Sequence, residues 1–283
     1  MKKAIIIILL SAVVVILAFV VYHYVREYRI AENAVGNLPI QISQLDGKVS
    51  AVDLSLYFED FKGCFILFDK NRNEYSIFNE TKSQTRISPC STFKIVNSLF
   101  GLDTGVLQDE NTLFKWGGEK YSISEWNKDQ TMASAFRDSV VWYYQKVASG
   151  VGTDRMQKYL NSISYGDANM SGGLTHFWLD STLKISPLEQ IELLKRFYSY
   201  QLPFSTRNID IVKKIMLISD SNGVRLSGKT GTAGQKNGWF VGYVEKGNDV
   251  YYFAANIEAK KNATGVNARS ITLRILNDKK ILQ

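Results

Sequence analysis

Ser91 and Lys94 stand three residues apart in Ser91-Thr92-Phe93-Lys94, a spacing that puts both side chains on one helix face with the amine in reach of the hydroxyl. A lysine so placed can turn serine into a nucleophile without histidine. The chain has two histidines, His23 at the edge of an apolar run and His176 in the body. A Ser-His-Asp arrangement would depend on His176 alone, whereas a Ser-Lys arrangement needs neither. Pro89 before the pair and Ile95-Val96 behind it suit Ser91 to a helix N-terminus, where free N–H groups and the dipole favour developing negative charge. In Ser139-Val140-Val141 a serine among hydrophobes can relay a proton while valine keeps water out. In Lys229-Thr230-Gly231-Thr232, lysine and threonine on a strand edge can bind a carboxylate, and glycine permits close backbone approach of a ligand. Each stretch alone has a plain structural reading: an N-cap with a solvated lysine, a back-bonded serine in a buried helix, a polar turn. The three together, in this order, form a set suited to serine acyl transfer.

The elements that must position these residues are readable in outline. Residues 63–68 and 75–78 are apolar β patterns around the turn-forming residues 69–73, and residues 239–244 and 250–255 form a stronger hairpin around Lys246-Gly247-Asn248-Asp249. Residues 95–102, 132–147 and 187–200 have helical patterns, and residues 268–282 read as a final helix. Strands near both ends with helices between them predict an α+β fold. Its antiparallel sheet is made from both chain ends and flanked by helices, and a mostly helical lobe carries the nucleophile.

The 283 residues are 45% hydrophobic and 12% aromatic, enough for a substantial core. The net charge is +7, of which Lys2, Lys3, Arg26 and Arg29 against Glu27 supply +3. No Lys/Arg stripe interleaved with aromatics runs through the rest, which argues against nucleic acid as a partner. Lys2-Lys3 precede an apolar run over residues 4–22, about 28 Å of helix. It lacks a small-residue cleavage site and reads as an uncleaved membrane anchor, with a removed signal and a secreted product as the alternative. The basic tip at residues 1–3 predicts a single pass with the body outside the cytoplasm. Residues 23–50 read as a stalk and residues 51–283 as the catalytic domain. Cys64 and Cys90 could pair in an oxidising compartment or stay buried as thiols. Cys90 adjoins Ser91 but lies one position off the Lys94 face.

Ser-Pro-Cys-Ser-Thr-Phe-Lys-Ile, Asp-Ser-Val-Val-Trp-Tyr-Tyr-Gln, His-Phe-Trp-Leu-Asp and Ser-Gly-Lys-Thr-Gly together resemble the class D (oxacillin-hydrolysing) serine β-lactamases, from about residue 63 to 282. The apolar Ser139-Val140-Val141 is the class D form of a triplet that reads Ser-Asp-Asn in class A. The resemblance implies a β-lactamase/D,D-peptidase-like fold and hydrolysis of β-lactam antibiotics through a serine acyl-enzyme. It implies Ser91 as the acylated nucleophile and Lys94 as general base, carboxylated on its amine by carbon dioxide or bicarbonate, with no metal and no other cofactor. Carbamate formation needs a neutral amine, which apolar burial favours; Phe93, Val141 and Trp178 suit the walls, with the Trp178 indole N–H as a donor to the carbamate. Ser139 would protonate the leaving nitrogen, and Lys229, Thr230 and Gly231 would hold the substrate carboxylate, with Arg269 as a further anchor. The Ser91 and Thr232 N–H groups would form the oxyanion hole. The chain departs from the family at Tyr165-Gly166-Asp167, where Asp replaces Asn and keeps an acceptor but loses an amide donor. His176 reads as a surface loop residue. Two other functions compatible with these motifs are a β-lactam receptor that acylates without turnover and a penicillin-binding D,D-peptidase.

Overall fold

The computed structural model describes residues 17, 19–24 and 38–283. Most of the apolar run over residues 4–22 therefore lies outside the described residues. Residues 17 and 19–22 of it are helical and exposed, and no described helix is long and apolar enough to cross a membrane. The chain divides into one unit up to Leu38 and a second from Pro39 to Gln283, which contains the site.

The second unit begins with strands β1 (Lys48–Ala51), β2 (Lys62–Asp69) and β3 (Glu74–Phe78) and the short helix α1 (Glu80–Ser83). A 3₁₀ turn over Cys90–Phe93 leads directly into α2 (Lys94–Asp103). The helical lobe continues with the small pair β4 (Leu113–Phe114) and β5 (Gln130–Thr131), then α3 (Met132–Arg137), α4 (Val141–Val151) and α5 (Thr153–Ser162). Helices α6 (Pro187–Tyr198) and α7 (Thr206–Met216) lead back to the sheet, to β6 (Leu217–Ser221), β7 (Val224–Ala233), β8 (Asn237–Lys246) and β9 (Asp249–Glu258). Helix α8 (Gly265–Asp278) closes the unit.

The seven-stranded sheet has the order β1-β3-β2-β9-β8-β7-β6, so strands from both ends of the unit meet at the β2–β9 pair. Every pair is antiparallel except β1–β3. The sheet is apolar on both faces because both are covered. Successive residues of β8 show this: Trp239 and Val241 join a core with the helical lobe, and Phe240 packs with Phe65, Phe253 and Ile275 on the α8 side. Helix α6 starts at a capping box, Ser186 with Glu189, with Pro187 in its first turn, and α8 at the Thr264 side chain, which accepts from Asn267 N–H.

The structure corrects three boundaries. The stalk expected over residues 23–50 ends in ordered sheet, since β1 starts at Lys48; as an edge strand it buries no residue and so carries no hydrophobic signal. The final helix spans Gly265–Asp278 rather than 268–282. The pattern over residues 132–147 is two helices, interrupted at Ser139, whose φ is +56°. The interruption is a Schellman motif: Ser139 N–H bonds to Phe136 O at 3.3 Å and Val140 N–H to Ala135 O at 2.9 Å. Such a motif usually has glycine in the left-handed position. With serine there, nothing in the sequence marks the break.

Candidate active site

Ser91 sits in the 3₁₀ turn rather than at the head of a regular α-helix, and its neighbour Cys90 has φ of +52°. The turn is tied down on several sides. Cys90 N–H donates to Trp178 O at 3.1 Å, and the Trp239 indole donates to Ser88 O at 2.8 Å. Gln190 Nε2 donates to Thr92 Oγ1 at 2.9 Å, and Thr92 Oγ1 donates to Pro89 O at 2.7 Å. Behind it, Arg86 forms a buried ion pair at 2.5 Å with Glu189, the capping residue of α6. Gln190 and Glu189 carry no chemical motif, although the Ser186-x-x-Glu189 capping box was readable as a helix start.

Lys94 Nζ lies 2.8 Å from Ser91 Oγ, within a hydrogen bond. The lysine is fully buried, with its amine 5.3 Å from the centre of the Tyr144 ring. Burial, and then the nearby Lys229 charge, holds its pKa well below the usual lysine value. Phe93 precedes it and stacks on Trp178 with ring centres 5.3 Å apart. The Trp178 indole N–H is buried and has no hydrogen-bond partner, an arrangement that costs about 1–3 kcal/mol unless an acceptor fills it. Val140 is buried, whereas Val141, the first residue of α4, is half-buried.

Lys229 brings the other two motifs together. Its Nζ lies 2.5 Å from Ser139 Oγ and 3.0 Å from Thr230 O. It is 4% exposed, and burial lowers its pKa to about 7, with the Asp138 carboxylate acting in the opposite sense. Strand β6 pairs with β7 only as far as Ser227, so residues 228–233 of β7 have β8 on one side and an open edge on the other. Gly231 brings that strand against the nucleophile turn: a Cβ there would stand 3.0 Å from Pro89 O and 3.3 Å from Ser91 N. Thr232 is exposed, and its hydroxyl accepts from Gly265 N–H at 2.8 Å. Lys229, Thr230 and Arg269 line one cavity of about 400 Å³, walled by Phe136 and Phe240. Arg269 Nε is buried without a partner, and its guanidinium is 6.0 Å from the Phe240 ring. Ser91 and Ser139 are not among the residues lining this cavity; it adjoins Ser139 through Lys229.

Cys64 and Cys90 are both free and buried. Burial raises each thiol to about 12, which leaves Cys90 no thiolate for nucleophilic attack at neutral pH. Asp167 Oδ1 accepts from the N–H groups of Asn169 and Lys184 at 3.1 and 3.0 Å, so the loop uses the acceptor that aspartate retains. His176 is exposed, its ring hydrogen-bonded to Thr175 Oγ1 at 2.8 Å. Among the described residues no group of side chains could hold a metal ion.

Ser139 has its hydroxyl on Lys229 and its backbone in the left-handed region, which separates two properties. Ser139→Ala and Ser139→Gly both remove the hydroxyl, but only glycine relieves the backbone. The two variants are expected to lose activity alike, with the glycine variant more stable by about 1 kcal/mol in denaturant unfolding. Equal stability of the two would contradict the strain.

One serine is thus held by a buried lysine, and a second buried lysine on the open strand edge holds the other. Residues 63–277 match the model of the penicillin binding protein transpeptidase domain. The chain is 41% identical over 235 residues to the regulatory protein BlaR1 of Bacillus licheniformis, covering 81% of this chain and 39% of that protein. It thus spans about two fifths of that relative's length. It is 39% identical over 224 residues to the β-lactamase OXA-20 of Pseudomonas aeruginosa, covering 78% and 84% of the two. A crystal structure of a class D β-lactamase from Bacillus subtilis superposes with a TM-score of 0.79 at 35% identity, covering 86% of this chain and 99% of that one. The chain belongs to the penicillin-binding transpeptidase-domain family and, within it, to the group that holds both the class D β-lactamases and the BlaR1-type regulatory proteins.

Proposed function

We propose that the protein hydrolyses penicillin-type β-lactams through an acyl-enzyme on Ser91 and so gives resistance to them. The observation that carries this reading is the fully buried Lys94 hydrogen-bonded to Ser91 at 2.8 Å, its pKa lowered well below the ordinary lysine value by burial. A neutral amine is the form that can accept the serine proton or take up carbon dioxide. The unpartnered Trp178 N–H, on the ring stacked against Phe93, fits a carboxylated Lys94. Carbon dioxide or bicarbonate would then supply an anionic oxygen on Nζ as the base.

In this mechanism Ser91 Oγ attacks the lactam carbonyl as its proton passes to Lys94. The developing oxyanion sits between the Ser91 and Thr232 N–H groups, each donor contributing about 3 kcal/mol to the transition state. The C–N bond breaks, and Ser139 delivers a proton to the nitrogen, replaced from Lys229. Lys229, Thr230 and Arg269 hold the substrate carboxylate, with Gly231 allowing the strand to approach, and Val141 helps keep water from the lysine. Lys94 then activates a water that hydrolyses the ester.

The similarity to BlaR1 supports a second reading, a β-lactam sensor that acylates without turnover. The two separate in one experiment on the full chain: a penicillin is added with and without bicarbonate, and hydrolysis and intact mass are followed together. Continuous turnover, stimulated by bicarbonate and with no lasting adduct, is expected. A stoichiometric adduct that persists while hydrolysis stops would make the sensor reading the right one.

A further inference from the structure

The angle φ of Ser139 is set by the orientation of the peptide joining Asp138 to Ser139. The carbonyl of that peptide is held from outside: the Trp126 indole Nε1–H donates to Asp138 O at 3.0 Å. The Trp142 indole in turn donates to Trp126 O at 2.9 Å. Two indole–carbonyl bonds thus run in opposite directions across the segment, one on each side of Ser139.

Trp126 is itself braced. It ends the 3₁₀ turn Ser124–Trp126, and its ring meets Tyr121 edge-on at 5.6 Å. Asn127 Nδ2 donates to Tyr121 O at 2.9 Å, and Asn127 Oδ1 accepts from Tyr121 N–H at 2.7 Å. The fully buried Gln130 donates to Glu125 O at 2.7 Å. A loop that is exposed over most of its length therefore presents one side chain in a fixed direction. That side chain bonds to the peptide next to Ser139, whose backbone is left-handed.

We propose that Trp126 is a positioning residue for Ser139: its indole N–H fixes the Asp138–Ser139 peptide and so aims Ser139 Oγ at the departing nitrogen. The inference rests on the acyl-transfer reading above. When the lactam C–N bond breaks, its electron pair goes to nitrogen. The nitrogen takes the Ser139 proton, and Ser139 recovers one from Lys229. A mis-aimed hydroxyl slows this proton delivery, so the loss should grow with the basicity of the departing nitrogen.

The test compares acylation rate constants, measured by rapid quench and intact mass, for the unchanged protein, Trp126→Phe, Ser139→Ala and the double variant. Phenylalanine keeps an aromatic ring and removes the N–H donor, together with part of the indole volume. Two substrates are used, a penicillin and a cephalosporin whose ring nitrogen leaves with its electrons delocalised. Trp126→Phe is expected to slow penicillin acylation by up to about 100-fold. It should slow the cephalosporin less, change the substrate dissociation constant little, and cause no further loss in the Ser139→Ala background. A folded Trp126→Phe with unchanged penicillin acylation would overturn the proposal, as would an equal loss added on top of Ser139→Ala. If Trp126→Phe does not fold, Trp142→Phe goes through the same cycle under the same criteria. No acylation of the unchanged protein would overturn the acyl-transfer reading and this inference with it.

Discussion

Replacing Lys94 by methionine is expected to give a folded, more heat-resistant protein with no measurable turnover. The amine is fully buried and its pKa is held well below that of a free lysine, first by burial and then by Lys229. Between that depressed value and the ordinary lysine value near 10.5, the unfolded chain binds a proton that the native state does not. Native stability is therefore lowered throughout this window and recovers as pH rises towards its upper end. Methionine has a similar volume and no proton to lose, so it removes the penalty. Replacing buried charged groups by apolar ones commonly gains about 1–4 kcal/mol, and each kcal/mol raises the melting temperature by about 2–4 °C in a domain of this size. Removing a general base costs about 10²–10⁴-fold in rate, and here the nucleophile also loses the hydrogen bond to its Lys94 partner. Melting curves in carbon dioxide-free buffer at pH 7 and pH 10, alongside penicillin turnover, check both halves. The stability gain should shrink at the higher pH. A less stable variant, or one that still turns over, contradicts the role given to Lys94.

The Michaelis constant for a penicillin is expected to rise steeply above neutral pH, and that of its carboxylate methyl ester to stay nearly level. Burial brings Lys229 down to about 7, so above that pH its amine is neutral in the empty site. Binding an anion there requires taking up a proton, at about 1.4 kcal/mol, or tenfold in affinity, for each pH unit above the pKa. Below about pH 7 the ammonium is already present and the dependence flattens. The ester brings no charge and takes up no proton. Steady-state kinetics from pH 6 to 9 with both compounds provide the test. Parallel profiles would remove Lys229 as the carboxylate anchor.

The parts of the fold legible beforehand are those with a strong local signal. The β2–β3 and β8–β9 hairpins were marked by unbroken apolar runs around turn residues, and both are present. The pairing of Ser91 with Lys94 was a matter of spacing alone, and the 2.8 Å contact survives the change from an α-turn to a 3₁₀ turn. What could not be read were the contacts between residues from distant parts of the chain. Gln190 bonds Thr92 across 98 positions, and Lys229 reaches Ser139 across 90. Strand β1 was hidden because both its faces are polar or half-exposed. The split of residues 132–147 was hidden because an amphipathic pattern runs through both helices.

The left-handed serine also bears on how this protein can change. Glycine is the residue the Schellman position prefers, and it is small enough to enter without disturbing its neighbours. Selection or engineering for robustness alone would push position 139 towards glycine and leave a protein that folds well and does not work. Retention of serine at that position in variants evolved for heat tolerance would therefore report that activity, and not only folding, had been maintained throughout their history.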